Sequence, residues 1–210
     1  MPSIQETAYP RLKSNPSSRD LDSIYTPTAD ERDFARRLAR TPTNQLGVLV
    51  QLKTFQRLGY SVPVRSVPTA IIHYIAAIAQ LAADSEQLAT YDGSRSQFRH
   101  LAAVREYLNI SPYGAVAERA MTEAMELAAT TKHDLADLIN NAIEELVRQR
   151  FELPGFSTLI RFAQQVRQLV SNRLYHQVKE GFGRDEILQL DRLLLVDGRA
   201  RTTLWDRLKE

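Results

Sequence analysis

The chain of 210 residues contains no cysteine, which excludes disulfides and thiolate metal sites and fits a reducing compartment. No stretch approaches the roughly 18 consecutive apolar residues that a membrane span needs. The first residues, MPSIQETAYPRLKSNPSSRDLDS, lack the apolar segment of a secretory signal. A cytoplasmic protein with no membrane contact is the expectation. Enzymatic signatures are missing too: there is no Gly-rich phosphate loop, no HExxH and no GxSxG, and His73, His100, His133 and His176 have no ligand spacing between them. The sequence GFGRDE at 181–186 has two glycines of a dinucleotide fingerprint but follows a helical pattern, so it reads as a helix stop. Glu118, Glu123 and Glu126 fall on the outer face of an amphipathic pattern, where solvation explains them. The residues therefore imply no catalytic group, no metal and no cofactor.

The most informative absence is of acids. From Phe34 to Ala83 there is no Asp or Glu, while Arg36, Arg37, Arg40, Lys53, Arg57 and Arg65 fall there. A second such window, Leu153 to Lys179, holds Arg161, Arg167, Arg173 and Lys179; a third, Gly93 to Arg105, holds Arg95, Arg99, His100 and Arg105. The acids gather instead at Glu118, Glu123, Glu126, Asp134, Asp137, Glu144 and Glu145. A net charge of +2 says little, but this segregation is what a chain with some faces toward a polyanion and others toward water would show.

Helical periodicity dominates. Thr28 caps TADERDFARRLAR, with acids in its first turn and arginines in its last. A helix follows from Thr43 to about Leu58, ended by Gly59 and Pro63, and Pro68 opens the nearly all-apolar PTAIIHYIAAIAQLAA. Later helices are expected over SRSQFRHLAAVREYLN, over SPYGAVAERAMTEAMELAATT with Ser111 as cap, over HDLADLINNAIEELVRQR, from Phe156 to Val178, and over RDEILQLDRLLLV. On the Ser111 helix, Val116, Ala120, Met121, Ala124 and Met125 should form the apolar face. The expectation is an all-α chain of two tandem small helical domains. A flexible arm occupies 1–23, the first domain 24–83, a linker 84–93, the second domain 94–182, and a helix and tail 183–210.

The 156–178 helix sets Leu159, Phe162, Ala163, Val166, Leu169 and Val170 against Ser157, Arg161, Gln164, Gln165, Gln168 and Asn172 on the other side. Arginine, glutamine, asparagine and serine are the types that bond base edges and phosphates. Following a helix and a Gly-containing turn, it has the outline of the second helix of a helix-turn-helix. A plain bundle helix would also carry Gln and Arg, as both are good helix formers. Arg95, Ser96, Gln97 and Arg99, with His100, make a smaller cluster at a helix N-terminus, although a lone histidine is as readily a packed side chain.

Four blocks, NQLGVLVQLKTFQRLG at 44–59, VPTAIIHYIA at 67–76, YDGSRSQFRHLAAVREYL at 91–108 and ELPGFSTLIRFAQQVRQ at 152–168, resemble in order and spacing the N-terminal region of the class II, Tn-three-type replicative transposases. The resemblance implies binding of double-stranded DNA at the terminal inverted repeats of a transposon, in a nucleoid-associated bacterial protein that self-associates when whole. Gln45 stands where the family usually has arginine, and nothing corresponds to the family's downstream acidic triad. The chain is therefore expected to be a non-catalytic fragment. Base contacts are expected from Ser157, Thr158, Arg161, Gln164 and Gln165, with Arg95, Gln97, Arg99 and His100, and Ser96 is a candidate DNA contact beside them. Asn44, Gln45 and Arg105 are further candidate contacts, and Arg36, Arg37, Arg40, Lys53, Arg57, Arg65, Arg167 and Arg173 are expected on phosphates. The rival expectations are a helical module that binds protein, and a truncated transposase that regulates by occupying transposon ends.

Overall fold

The structure, a computed structural model, describes residues 2–83, 85–196, 203 and 205. Its regular elements are helices α1 (Ser18–Asp20), α2 (Ala29–Leu38), α3 (Pro42–Leu58), α4 (Thr69–Ala79), α5 (Ser85–Tyr91), α6 (Arg95–Leu108), α7 (Ala115–Ala129), α8 (Leu135–Arg148), α9 (Phe156–Gly181) and α10 (Arg184–Leu193). Among the described residues there is no strand, only isolated bridges, as the all-α expectation requires.

The first core is built around α3. Thr41 caps it by accepting from the Asn44 N–H, Pro42 occupies its first turn, and Gly59 ends it at φ 72°, a left-handed conformation in which glycine carries no Cβ penalty. Between these stops Leu46 through Phe55 are all buried, because α2, α4, α5 and α6 pack round it. Gly47 is required for a different reason. A Cβ there would lie 2.7 Å from Cε1 of Tyr91, so the ring of α5 rests on bare helix backbone. α2 is held at its start by a capping box: the Thr28 hydroxyl accepts from the Glu31 N–H at 3.2 Å and Glu31 accepts from the Thr28 N–H at 2.8 Å.

The expected linker is part of this core. Residues 85–91 form α5, with Leu88 and Tyr91 buried at 5% and 2% exposure. α6, expected to open the second domain, sends Val104 into the same cluster. A polar sequence concealed this, since short α5 needs only two apolar anchors.

The second core comprises α7, α8 and the first half of α9. α8 follows its apolar pattern throughout, burying Leu135, Leu138, Ile139, Ala142, Ile143 and Leu146. α7 begins later than expected, at Ala115 rather than after Ser111, because Ser111 instead pairs with the chain beyond α8: its N–H donates to Arg150 O and its carbonyl accepts from the Glu152 N–H. The apolar face is also offset from the expected one: Val116 is 57% exposed, and Ala117, Met121 and Met125 are buried.

Residues 2–28 are not a free arm. They run as a strap over both cores. Tyr9, 6% exposed, donates to Pro154 O at 2.9 Å and stacks on Tyr60 at 5.1 Å, and Tyr60 donates to Pro10 O at 3.1 Å. The Ala8 N–H donates to Asn140 at 2.7 Å, and Tyr74 of α4 donates to Asp22 at 2.7 Å. Isolated aromatic anchors leave no periodicity, which is why a sequence rich in Ser, Pro and charge read as mobile.

Candidate nucleic-acid interface

α9 starts at Gly155–Phe156, directly after ELP, and buries Leu159, Ala163, Val166 and Val170. These positions lie on one side at 3.6-residue spacing. On the opposite side Ser157, Arg161, Gln165, Gln168 and Asn172 are exposed and Gln164 half-buried. Thr158 is half-buried beside them. Arg167 and Arg173, both exposed, flank this strip on its two edges. The guanidinium of Arg161 lies 5.2 Å from the Phe162 ring centroid, and the Gln168 amide donates to Asn172 Oδ1 at 3.1 Å. Such a face offers donors and acceptors in the middle and cations at the rims. That is the division of labour between base reading and phosphate clamping.

A second cationic group stands at the start of α6, where Arg95 and Arg99 are exposed near Phe98, itself 65% exposed. Sequence reading passed over Phe98, since one aromatic in a polar face carries no periodic signal. Arg37, Arg40, Arg57 and Arg65 are likewise exposed. None of Arg37, Arg40, Arg57, Arg65, Arg95, Arg99, Arg161, Arg167 or Arg173 has an ion pair among the described residues. Arg36 is exposed but paired with Asp33 at 2.6 Å.

Several expected contacts lie elsewhere. Lys53 is 7% exposed, its Nζ 3.3 Å from Glu31 Oε2, so a phosphate cannot reach it. His100 is fully buried, its Nδ1 3.0 Å from the hydroxyl of Tyr91, which in turn donates to Gln51 Oε1 at 2.9 Å. Burial, with Arg99 adjoining, lowers the His100 pKa and keeps the ring neutral. Arg105 is bound to Glu152 at 2.7 Å. Gln97 closes the turn before α6, accepting from the Gly93 N–H at 2.6 Å and donating to Asp92 at 3.1 Å. Half-buried Ser96 adjoins it. Gln45 donates to Ala39 O at 3.1 Å and ties α3 to the end of α2, while Asn44 is half-buried at the α3 start. Among the described residues no group of His, Asp and Glu could hold a metal, and no helix is long and apolar enough to cross a membrane.

An all-helical scaffold bearing unneutralised arginines and a polar helix face defines the class of protein. Residues 1–166 match the family described as "Domain of unknown function (DUF4158)", and the chain belongs to that family. It is 31% identical over 197 residues, 91% of its own length, to the transposase for transposon Tn501 of Pseudomonas aeruginosa, and spans 19% of that protein's length. The match supports the resemblance to the N-terminal region of the Tn-three-type transposases.

Proposed function

We propose that the chain binds double-stranded DNA sequence-specifically at the terminal inverted repeats of a transposon, as the N-terminal part of a replicative transposase. The observation that carries this is the outer face of α9, where Ser157, Arg161, Gln164, Gln165, Gln168 and Asn172 stand between two exposed arginines with no acid from Leu153 to Lys179. In helix-turn-helix terms α9 is the recognition helix, with its first turns on base edges. Arg167 and Arg173 neutralise phosphates, as do Arg95, Arg99, Arg37, Arg40, Arg57 and Arg65 where they meet the duplex. The chain acts by recognition without chemistry; strand cutting and joining belong to a whole transposase.

Footprinting on the end of the element that encodes the chain tests this. Protection of defined bases, with affinity falling steeply as salt rises, supports it. Equal affinity for that end and for random duplex ends the claim of specificity.

A second reading rests on a separate observation. Beyond Val170, α9 exposes Leu174, Tyr175 and Val178 at 43%, 73% and 56%, and α10 exposes Leu188 and Leu190 at 56% and 43%. This half suits packing against protein, and a chain that retards no duplex but elutes as a dimer would favour it.

A further inference from the structure

At the entry to α9, Glu152, Leu153, Pro154 and Phe156 are each fastened by residues outside α7, α8 and α9. Glu152, 8% exposed, accepts from the Ser61 N–H at 3.3 Å and pairs with Arg105 of α6 at 2.7 Å. The Leu153 N–H donates to Gly59 O, the cap of α3, at 2.8 Å, and its side chain lies 3.3 Å from where a Gly59 Cβ would be. Pro154 O accepts from Tyr9 of the strap, and the Phe156 ring lies 5.4 Å from the Tyr9 ring. Burial holds the Tyr9 phenol well above its ordinary range, so it remains a donor.

We infer that Tyr9 of the strap and the Arg105–Glu152 pair are positioning residues that lock the start of α9 against the first core, so that α9 and the α6 arginines meet one duplex in one fixed register. The inference rests on the DNA-binding reading above. Apolar packing alone would join the cores, but a partly buried ion pair is weak evidence for stability and is better explained by the geometry it imposes. Directional bonds fix orientation, and orientation is what matters here. Asn172 stands 16 residues beyond Phe156, about 24 Å along the helix at 1.5 Å per residue. A tilt of about 10° at the start would therefore carry it about 4 Å, comparable to the ~3.4 Å of duplex axis per phosphate of one strand. Arg95 stands ten residues before Arg105, about 15 Å from the lock along α6. The two contact groups thus sit on opposite arms of one joint.

The test uses the full chain with Tyr9→Phe, which keeps the ring and removes one donor, and separately with Arg105→Met combined with Glu152→Gln, which removes both charges. Each is titrated against the footprinted duplex and against versions with one to five base pairs inserted between its two protected segments. The unaltered chain should lose about tenfold or more on insertion, and the variants less than about threefold, because their halves can adjust. A purely structural role would weaken binding to every spacing by the same factor. An inserted-to-native ratio identical in variants and parent overturns the inference, as does a parent indifferent to spacing, while either leaves DNA binding standing. A parent that protects no duplex removes the DNA-binding reading and this inference with it. If the double variant does not fold by circular dichroism, Tyr9→Phe decides alone.

Discussion

Lys53→Met separates a cation that holds the fold from one that holds DNA. Lys53 lies in the first core with 7% exposure, and Glu31 beside it is 4% exposed. Removing one partner of such a pair leaves a buried charge and costs about 3–5 kcal/mol. Here the lower end applies, since Glu31 keeps the Thr28 N–H at 2.8 Å and the Gln56 amide at 2.7 Å. A loss of about 3 kcal/mol should lower the thermal midpoint by about 6–12 °C for a chain of this size. Lys53→Met with Glu31→Gln removes both charges and should recover most of it, as replacement of a whole buried pair is often near neutral. Calorimetry reads the midpoint. Gel shifts over a salt series, run well below it, read the slope of log affinity against log salt, which neither variant should change. Arg167→Ala is the control, leaving the midpoint alone and reducing that slope by about 0.9. If Lys53→Met melted with the parent and flattened the slope, Lys53 would be a phosphate contact and the burial argument would fail.

Arg161→Ala should cost about 1–3 kcal/mol on the specific duplex and relax discrimination at one position, where Arg167→Ala weakens all duplexes alike; competition against single-position base changes checks this. Gly47→Ala places a methyl 2.7 Å from the Tyr91 ring and should destabilise by about 1–3 kcal/mol through overpacking, read by urea denaturation. His100 has a lowered pKa through burial and the neighbouring Arg99, so below its unfolded value near 6.5 the unfolded chain binds the proton more readily. Stability that His100 contributes at pH 7 is therefore lost as pH falls from about 6.5 toward the folded value. Thermal midpoints at pH 7 and 5 should differ less in His100→Gln than in the parent.

Helices were legible wherever one face repeats. α8 matches its pattern residue for residue, and the Thr28 cap and Gly59 stop of α2 and α3 are local chemistry that needs no tertiary context. Most of the α9 surface was legible for the same reason, although Leu169, expected in its inward stripe, is 48% exposed. Tertiary relations were not. Lys53 sits in an acid-free window, but Glu31, just outside it, returns across space to neutralise it; Glu152 does the same for Arg105 from the border of another. A window empty of acids in sequence is not a surface empty of acids.

The boundary expected at 84–93 does not fall between the two cores, for an instructive reason. Charge and low hydrophobicity over 84–93 point in sequence to a mobile connection, and two modules on such a connection would gain affinity through effective concentration. Instead Tyr91 fills the bare backbone at Gly47, and α6 carries the ion pair that fixes the entry to α9. Two cores so fastened lose little orientational freedom when they bind, which favours affinity at the matched spacing. They also cannot adjust, so a mismatched spacing forfeits one set of contacts rather than stretching a linker. For a protein whose target would be a fixed sequence at the end of an element, rigidity converts the distance between two contact groups into part of what is recognised.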